Sequence, residues 1–377
     1  MTSVIDAARL RVLIVTARYL PLVGGTEIHT YETARRIAQS GHDVTVLTTN
    51  PAAAFPAEEW SDGVRVIRVA CWPARADYYL APRLMRVITE GEWDIVHCQG
   101  VHTLVSPLAM LAAVRAKTPY IVTFHSGGHS SRLRTRLRGV QHEMLRPLLA
   151  RAERLIGVSR FEAEFFRRRL RLPAERFVVI PNGAHLPEVP TVAAGSANGP
   201  LIVSVGRLER YKGHQRVIAA LPYVLADCPD TRLRIVGSGP FEAELRQLTC
   251  KLGVTDRVEI GALPIADRAG MATVLAEASL VTLLSEYESQ GIAVMEAIQL
   301  KRPVLVTDAS ALHELAECGL AETVPLHSTP RQVAAAILKQ FARPLIPPDV
   351  TVPSWDDCAG QLLSVYQSVV RSPACVS

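Results

Sequence analysis

The sequence predicts an α/β protein built from two doubly wound, Rossmann-like domains that face each other across a cleft. Three observations carry this expectation. Short apolar, β-branched runs alternate with segments of helical period; the alternation breaks in one stretch of proline, glycine and small residues; beyond the break it restarts. A length of 377 residues also suggests about two domains.

In the first half, the strand candidates are Val12–Val15, Val44–Leu47, Val64–Val69, Ile95–His97, Tyr120–Thr123, Leu155–Val158 and Val178–Ile180. Several are apolar at every position, as strands buried on both faces of a parallel sheet must be. Thr26–Ser40, stopped by Gly41, and Thr103–Arg115 read as helices between them. The break is Pro187–Pro200, with three prolines and two glycines. The second series is Ile202–Val205, Leu233–Val236, Val258–Ile260, Leu280–Leu283, Val304–Val306 and Glu322–Val324. A second break, Pro344–Pro353, precedes a last helix from Trp355 to about Val370. The expected division is therefore 1–187, a linker at 188–200, a second domain at 201–345 and a terminal segment at 346–377.

Composition narrows the classes. An apolar fraction of 49% with 20% charged residues excludes a disordered, collagen-like or heptad-repeat chain. The seven cysteines are scattered and form no C-x-x-C pair, so neither a disulfide framework nor a structural zinc site is suggested. The first residues hold no signal-peptide core, and the weakly polar stretch Val101–Val114 is too short to span a bilayer. The expected location is cytoplasmic.

Three segments can carry chemistry. Gly24 and Gly25 lie between the first strand and the first helix, where bare backbone N–H groups and the helix dipole could meet an anion. An ordinary glycine turn explains the pair equally well. Arg207 and Lys212, five apart after the first strand of the second domain, could converge on one diphosphate, Arg as a fork and Lys as a point charge. A solvated surface pair is the alternative. Glu288 and Glu296 flank a segment in which a helix is expected to begin at about Ser289 or Gln290, placing Glu296 roughly two turns in. Two carboxylates so placed could hold hydroxyls on different parts of one ligand, although the bare spacing is common by chance.

Taken in order along the chain, these segments resemble the retaining GT-B glycosyltransferases, most closely glycosyltransferase family 4 (group 1). Glu288 and Glu296 match its E-x7-E element. Pro21…Gly24-Gly25-Thr-Glu27 with Gly41-His42-Asp-Val looks like its opening, and Asp94-Ile-Val-His97 with Val122-Thr-Phe-His125 like its middle strands. Val158-Ser159 and Ile180-Pro-Asn182-Gly183 close the first domain; Gly206-Arg207…Lys212-Gly213 and Val236-Gly-Ser-Gly239-Pro240 follow in family order. Ser354-Trp355 and the final helix resemble the segment that crosses back to the first domain.

The resemblance implies transfer of a sugar from a nucleotide-sugar with retention of anomeric configuration. By motif, Arg207 and Lys212 would bind the diphosphate, Glu296 the ribose hydroxyls, and Glu288 the donor sugar near its anomeric carbon. His125 would touch the sugar's distal hydroxyl, Gly24 and Gly25 would face the phosphates and acceptor, and Gly239, Gln290, Gly291 and Ile292 would line the donor. His125 beside Gly127-Gly128 also has a plainer reading, as a loop cap. No Asp-x-Asp occurs, which fits metal-independent chemistry with no cofactor. Ser289-Gln290 departs from the family's small residue followed by Phe, which leaves the identity of the sugar open.

From Ser130 to Arg171 there are twelve Arg and four Glu, a local excess of +8 against +5 for the whole chain. Arg132, Arg134, Arg136 and Arg138 with Leu133, Leu137, Leu145, Leu148 and Leu149 make a basic amphipathic stretch of the kind that binds anionic membrane surfaces. A solvated arginine-rich face is the other reading. No aromatic interleaving or recognised module points to nucleic acid. The expected activity is therefore sugar transfer to a lipid-linked or polysaccharide acceptor at the cytoplasmic, inner membrane face. The alternatives are a soluble transferase acting on a small secondary metabolite, a nucleotide-sugar 2-epimerase, and a degenerate binding protein.

Overall fold

The structure, a computed structural model, describes residues 9–22, 24–73, 79–125, 132–187, 199–264, 267–348 and 351–371, with 132–138 described by their backbone alone. Most of the expected linker and the side chains of Arg132, Arg134, Arg136 and Arg138 thus lie outside the described residues. No described helix is long and apolar enough to cross a membrane.

The chain divides into two compact units. The first runs β1 (Arg11–Val15), α1 (Gly25–Gln39), β2 (Asp43–Asn50), β3 (Glu58–Ser61), β4 (Val64–Ala70), α2 (Arg83–Glu90), β5 (Ile95–Gln99), α3 (Val105–Ala116), β6 (Tyr120–Thr123), α4 (Arg132–Leu149), β7 (Arg154–Gly157), α5 (Arg160–Leu170) and β8 (Phe177–Val179). The second, built on Gly183–Ser354, runs β9 (Leu201–Val205), α6 (His214–Asp227), β10 (Arg232–Val236), α7 (Glu242–Lys251), β11 (Val258–Gly261), α8 (Arg268–Glu277), β12 (Leu280–Leu283), α9 (Ile292–Gln299), β13 (Val304–Thr307), α10 (Ala311–Glu317), β14 (Glu322–Val324) and α11 (Pro330–Ala342). The last helix, α12 (Trp355–Arg371), belongs to the first unit, where it packs along α1.

The first sheet has the order β3-β4-β2-β1-β5-β6-β7-β8 and the second β11-β10-β9-β12-β13-β14. All pairings are parallel except β3 with β4. Both sheets are the doubly wound arrangement that the alternation of strand and helix predicts. The apolar runs are explained by burial on both faces. Along β9, Leu201 and Val203 join one core cluster while Ile202 joins the other, and along β13 Val304 and Val306 oppose Leu305 in the same way.

Two local readings are corrected. The sequence gives no strand at Glu58–Ser61, because a polar edge strand lacks the apolar run used to find the others. Its turn does carry a signal: Asp62 and Gly63, at φ +50° and +78°, form the two-residue loop that sets Ser61 opposite Val64. The helix expected from Ser289 or Gln290 begins instead at Ile292, capped by Gly291 at φ +85°. Glu296 therefore sits little more than one turn into α9, closer to the helix N-terminus than the expected two turns.

Local ties account for several motif residues. Arg11 donates to both carboxylate oxygens of Asp94, at 2.7 Å through its backbone N–H and 2.9 Å through its guanidinium, tying β1 to the start of β5. Ser159 caps α5 by accepting from Glu162 N–H at 3.1 Å, and the Glu162 carboxylate accepts from Val158 N–H at 3.0 Å. His42 Nδ1 accepts from Leu10 N–H at 3.1 Å. These contacts tie neighbouring elements of the first unit together.

Candidate active site

In an open α/β sheet, ligands bind beyond the carboxyl ends of the strands, at the point where strand order reverses. In the second unit that point lies between β9 and β12. Arg207 and Lys212 are on the connection leaving β9, and Glu288 is on the connection leaving β12.

The Lys212 ammonium donates to Glu288 Oε1 at 2.6 Å, and both side chains are largely buried. Ser285 Oγ donates to the same carboxylate oxygen at 2.7 Å. Glu288 N–H donates to Ser310 Oγ at 2.9 Å, fixing the loop from behind. Ser310 has φ +53° and ψ −146°, a backbone state that costs on the order of 1–3 kcal/mol and persists only where its surroundings impose it. Burial is the largest influence on the Lys212 pKa and pulls it down, but the Glu288 charge, the neighbouring Tyr211 and the hydrogen bond to Glu288 together outweigh it and the net displacement is upward.

Arg207 is half exposed, with Glu209 at 3.6 Å. The structure therefore does not join Arg207 and Lys212 on one partner: Lys212 is engaged by Glu288, while the Arg207 guanidinium remains open to solvent. The loop carrying Arg207 is held by His214, a residue the sequence reading passed over. Its Nε2 lies 3.2 Å from the Arg207 carbonyl, which can only accept, so Nε2 carries the proton and Nδ1 accepts from Ser204 Oγ at 2.9 Å. Burial drops the His214 pKa to about 4, so this neutral tautomer persists. Arg216, also passed over, ties the strand ends together by donating to Leu284 O at 3.1 Å, Thr307 Oγ1 at 3.0 Å and Pro325 O at 3.1 Å.

Gly239 has a packing reason. A Cβ there would lie 2.4 Å from the Leu208 carbonyl oxygen, so its absence lets the loop after β10 lie directly on the Arg207 loop. Gln290 is buried, Gly291 caps α9, and Ile292 opens it.

Glu296 is buried on α9 and paired with Arg268, the first residue of α8. Arg268 also donates to the His185 carbonyl at 3.3 Å. Burial is the dominant influence on the Glu296 carboxyl and raises its pKa to about 7 against the pull of Arg268. No spacing rule links residues 268 and 296, so Arg268 was not legible as its partner.

In the first unit the reversal lies between β1 and β5. Gly24, extended at φ −170°, caps α1, and a Cβ on it would meet the Glu27 carboxylate at 2.5 Å. The buried Glu27 side chain thus folds back against the helix start, while Gly25 borders open space. His125, at the end of β6, lies 2.7 Å by Nε2 from Gln99 Oε1 and edge-on to His29 with ring centroids 4.7 Å apart. Among the described residues, no group of three or more His, Cys, Asp or Glu side chains is placed to hold a metal ion.

Two doubly wound units, each with polar side chains at its reversal point, define the GT-B class, and the solved structures similar to this chain belong to it. Sucrose-phosphate synthase from Thermosynechococcus elongatus superposes with a TM-score of 0.74 at 20% identity, covering 96% of this chain and 99% of that one. Two family models match in series, Glycosyltransferase Family 4 over residues 23–186 and Glycosyl transferases group 1 over residues 199–342, together most of the sequence. The chain belongs to this family of glycosyltransferases. Similar relatives include glycogen synthase of Mycobacterium tuberculosis (strain H37Rv), 28% identical over 81% of this chain and 80% of the relative. The phosphatidyl-myo-inositol mannosyltransferase of the same organism is 27% identical over 93% and 95%.

Proposed function

We propose that this glycosyltransferase moves a sugar from a nucleotide-diphosphate sugar, with retention of anomeric configuration, to a lipid-linked or polysaccharide acceptor at the cytoplasmic membrane face. The observation that carries the reading is the buried Lys212–Glu288 pair beside the open Arg207 guanidinium, at the reversal point of the second sheet. Two cations there suit a diphosphate leaving group, because preorganised charge in a water-poor site stabilises charge as it develops. Relatives named for a glucan and for a phosphatidylinositol acceptor support the acceptor class.

In this reading, Arg207 and Lys212 hold the diphosphate, Glu288 meets hydroxyls near the anomeric carbon, and Glu296 accepts from the ribose hydroxyls. Gly291 and Ile292 present the start of α9, Gln290 lies beside the sugar, and His125 meets its distal hydroxyl. Gly24 and Gly25 face the phosphates and the acceptor. The bond from the anomeric carbon to the diphosphate oxygen breaks, its electron pair staying with the phosphate. The acceptor oxygen bonds to that carbon on the same face, and its proton passes to the departing phosphate. No protein base is required, and the charge a metal would supply comes from Arg207 and Lys212.

The test is nucleotide release from UDP-, GDP- and ADP-sugars, with and without a total lipid extract and with and without chelator, the product's anomeric configuration being read by proton NMR. One donor, stimulation by lipid, retention and indifference to chelator are expected. An inverted product or a chelator-sensitive reaction overturns the mechanism. Release without any lipid effect moves the acceptor to a small metabolite.

A further inference from the structure

The first unit contains a cluster of three histidines, of which the family resemblance gives a role to His125 alone. His29 on α1 and His97 on β5 are fully buried, and His125 at the end of β6 is partly buried. Gln99, two residues after His97 on β5 and so on the same face of the sheet, lies between His97 and His125.

The orientation of the Gln99 amide follows from His97. Its nitrogen end is 3.4 Å from His97 Nδ1 and 3.3 Å from Nε2. Near-equal distances to both nitrogens of one imidazole are possible at this range only off the ring plane, since an in-plane approach would collide with the carbon between them. Both His97 nitrogens are also already engaged, Nδ1 with Tyr366 OH and Nε2 with Thr123 Oγ1, each at 2.7 Å. An amide N–H over an electron-rich ring face is favourable and a carbonyl oxygen there is not. The amide oxygen therefore turns the other way, to His125 Nε2 at 2.7 Å.

We propose that Gln99 is a positioning residue that holds His125 in the Nε2–H tautomer and leaves Nδ1 as the acceptor offered to a hydroxyl of the bound sugar. The proposal rests on the reading above that His125 meets the donor sugar. An oxygen acceptor compels a proton on Nε2, and a neutral imidazole then keeps its lone pair on Nδ1. Among the described residues no hydrogen bond engages that nitrogen. The ring stays neutral because its surroundings oppose a positive charge. Burial drives its pKa well below the ordinary value, assisted by the titratable groups that bear on it: His29 from α1, His97 from β5 and His102 from the loop after β5. A protonated ring would carry hydrogen on both nitrogens and lose the acceptor.

The test uses the full-length protein labelled with 15N-histidine, together with steady-state kinetics of Gln99→Leu and Gln99→Glu. In the parent, the His125 resonance, assigned by its loss in His125→Asn, is expected to show the Nε2–H tautomer. Gln99→Leu should lose the single tautomer and lower kcat by tenfold or more, with a smaller change in donor KM. Gln99→Glu keeps an oxygen acceptor and so keeps the tautomer, but its carboxylate favours the imidazolium. Turnover in that variant should fall as pH drops through a raised His125 pKa, an acid limb the parent lacks over the same range. Retention of the Nε2–H tautomer and of parental turnover in Gln99→Leu overturns the proposal. Loss of the tautomer with unchanged turnover leaves Gln99 as the positioning residue and overturns the contact between His125 and the sugar. Should Gln99→Leu fail to fold, Gln99→Glu decides: an unchanged pH profile overturns the proposal.

Discussion

Lys212 and Glu288, 76 residues apart in the chain, meet at 2.6 Å beyond the carboxyl ends of β9 and β12. The pair makes two different substitutions informative. Glu288→Gln keeps an oxygen to accept from Ser285 and Lys212, so the loop should survive while turnover falls far more than nucleotide affinity. Glu288→Ala leaves an ammonium buried without its counter-charge, which costs about 3–5 kcal/mol. Adding Lys212→Met should recover part of that loss. Denaturant melts of the two single variants and the double variant read the coupling, and strict additivity would deny it.

Arg207 should matter to chemistry and not to folding, because its guanidinium is half exposed. Arg207→Ala is expected to cost about 2–5 kcal/mol in transition-state binding, as for truncation of a charge partner at an interface. Its melting temperature should match the parent. Unchanged kcat/KM would remove Arg207 from the site.

Glu296 gives opposite pH dependences for stability and for binding. Its folded pKa of about 7 lies above the 4.5 of an unperturbed carboxyl. Between those values the folded state binds more protons than the unfolded state, so stability should decline as pH rises from about 4.5 through about 7. Nucleotide affinity should run the other way, since an ionised carboxylate is the better acceptor for ribose hydroxyls. Calorimetric binding of the nucleoside diphosphate from pH 5.5 to 8.5 checks the second limb. Glu296→Gln should flatten both.

Gly213 caps α6 at φ +79°, and a Cβ there would lie 1.9 Å from the Leu284 carbonyl oxygen. Neither the backbone conformation nor the space tolerates alanine. Gly213→Ala should destabilise by about 1–3 kcal/mol from the backbone term alone and displace the connection that carries Lys212. A thermal melt and kcat are the checks, and a parental value of both would contradict the close approach.

Tyr366 on α12 reaches His97 Nδ1 at 2.7 Å with both side chains fully buried. Tyr366→Phe leaves that nitrogen without its partner, a loss of about 1–3 kcal/mol. A lowered melting temperature should appear with nucleotide affinity intact, because the contact is internal to the first unit.

What the sequence determined by itself was the architecture and the identity of the main charged groups. Val12–Val15 is apolar throughout, and Leu233–Val236 and Leu280–Leu283 are apolar but for Arg234 and Thr282, because both faces of their strands are largely covered. That local constraint is written into consecutive residues, and each of these runs lies within an observed strand. Trp355 begins α12 as expected, for the equally local reason that proline stops one segment and a helical period opens the next. The terminal placement of Arg207, Lys212 and Glu288 on strand connections was legible too, since it follows from where the strands end.

Only the tertiary structure decided the partners. Lys212 was read as a second grip beside Arg207, yet it pairs with Glu288 because β9 and β12 are neighbours in the sheet. Arg268 on Glu296, His214 under the Arg207 loop and Gln99 between two imidazoles belong to the same class. Hydrogen bonds and ion pairs form within about 3 Å, and which side chains come that close is settled by strand order and helix packing, neither of which appears as a spacing along the chain.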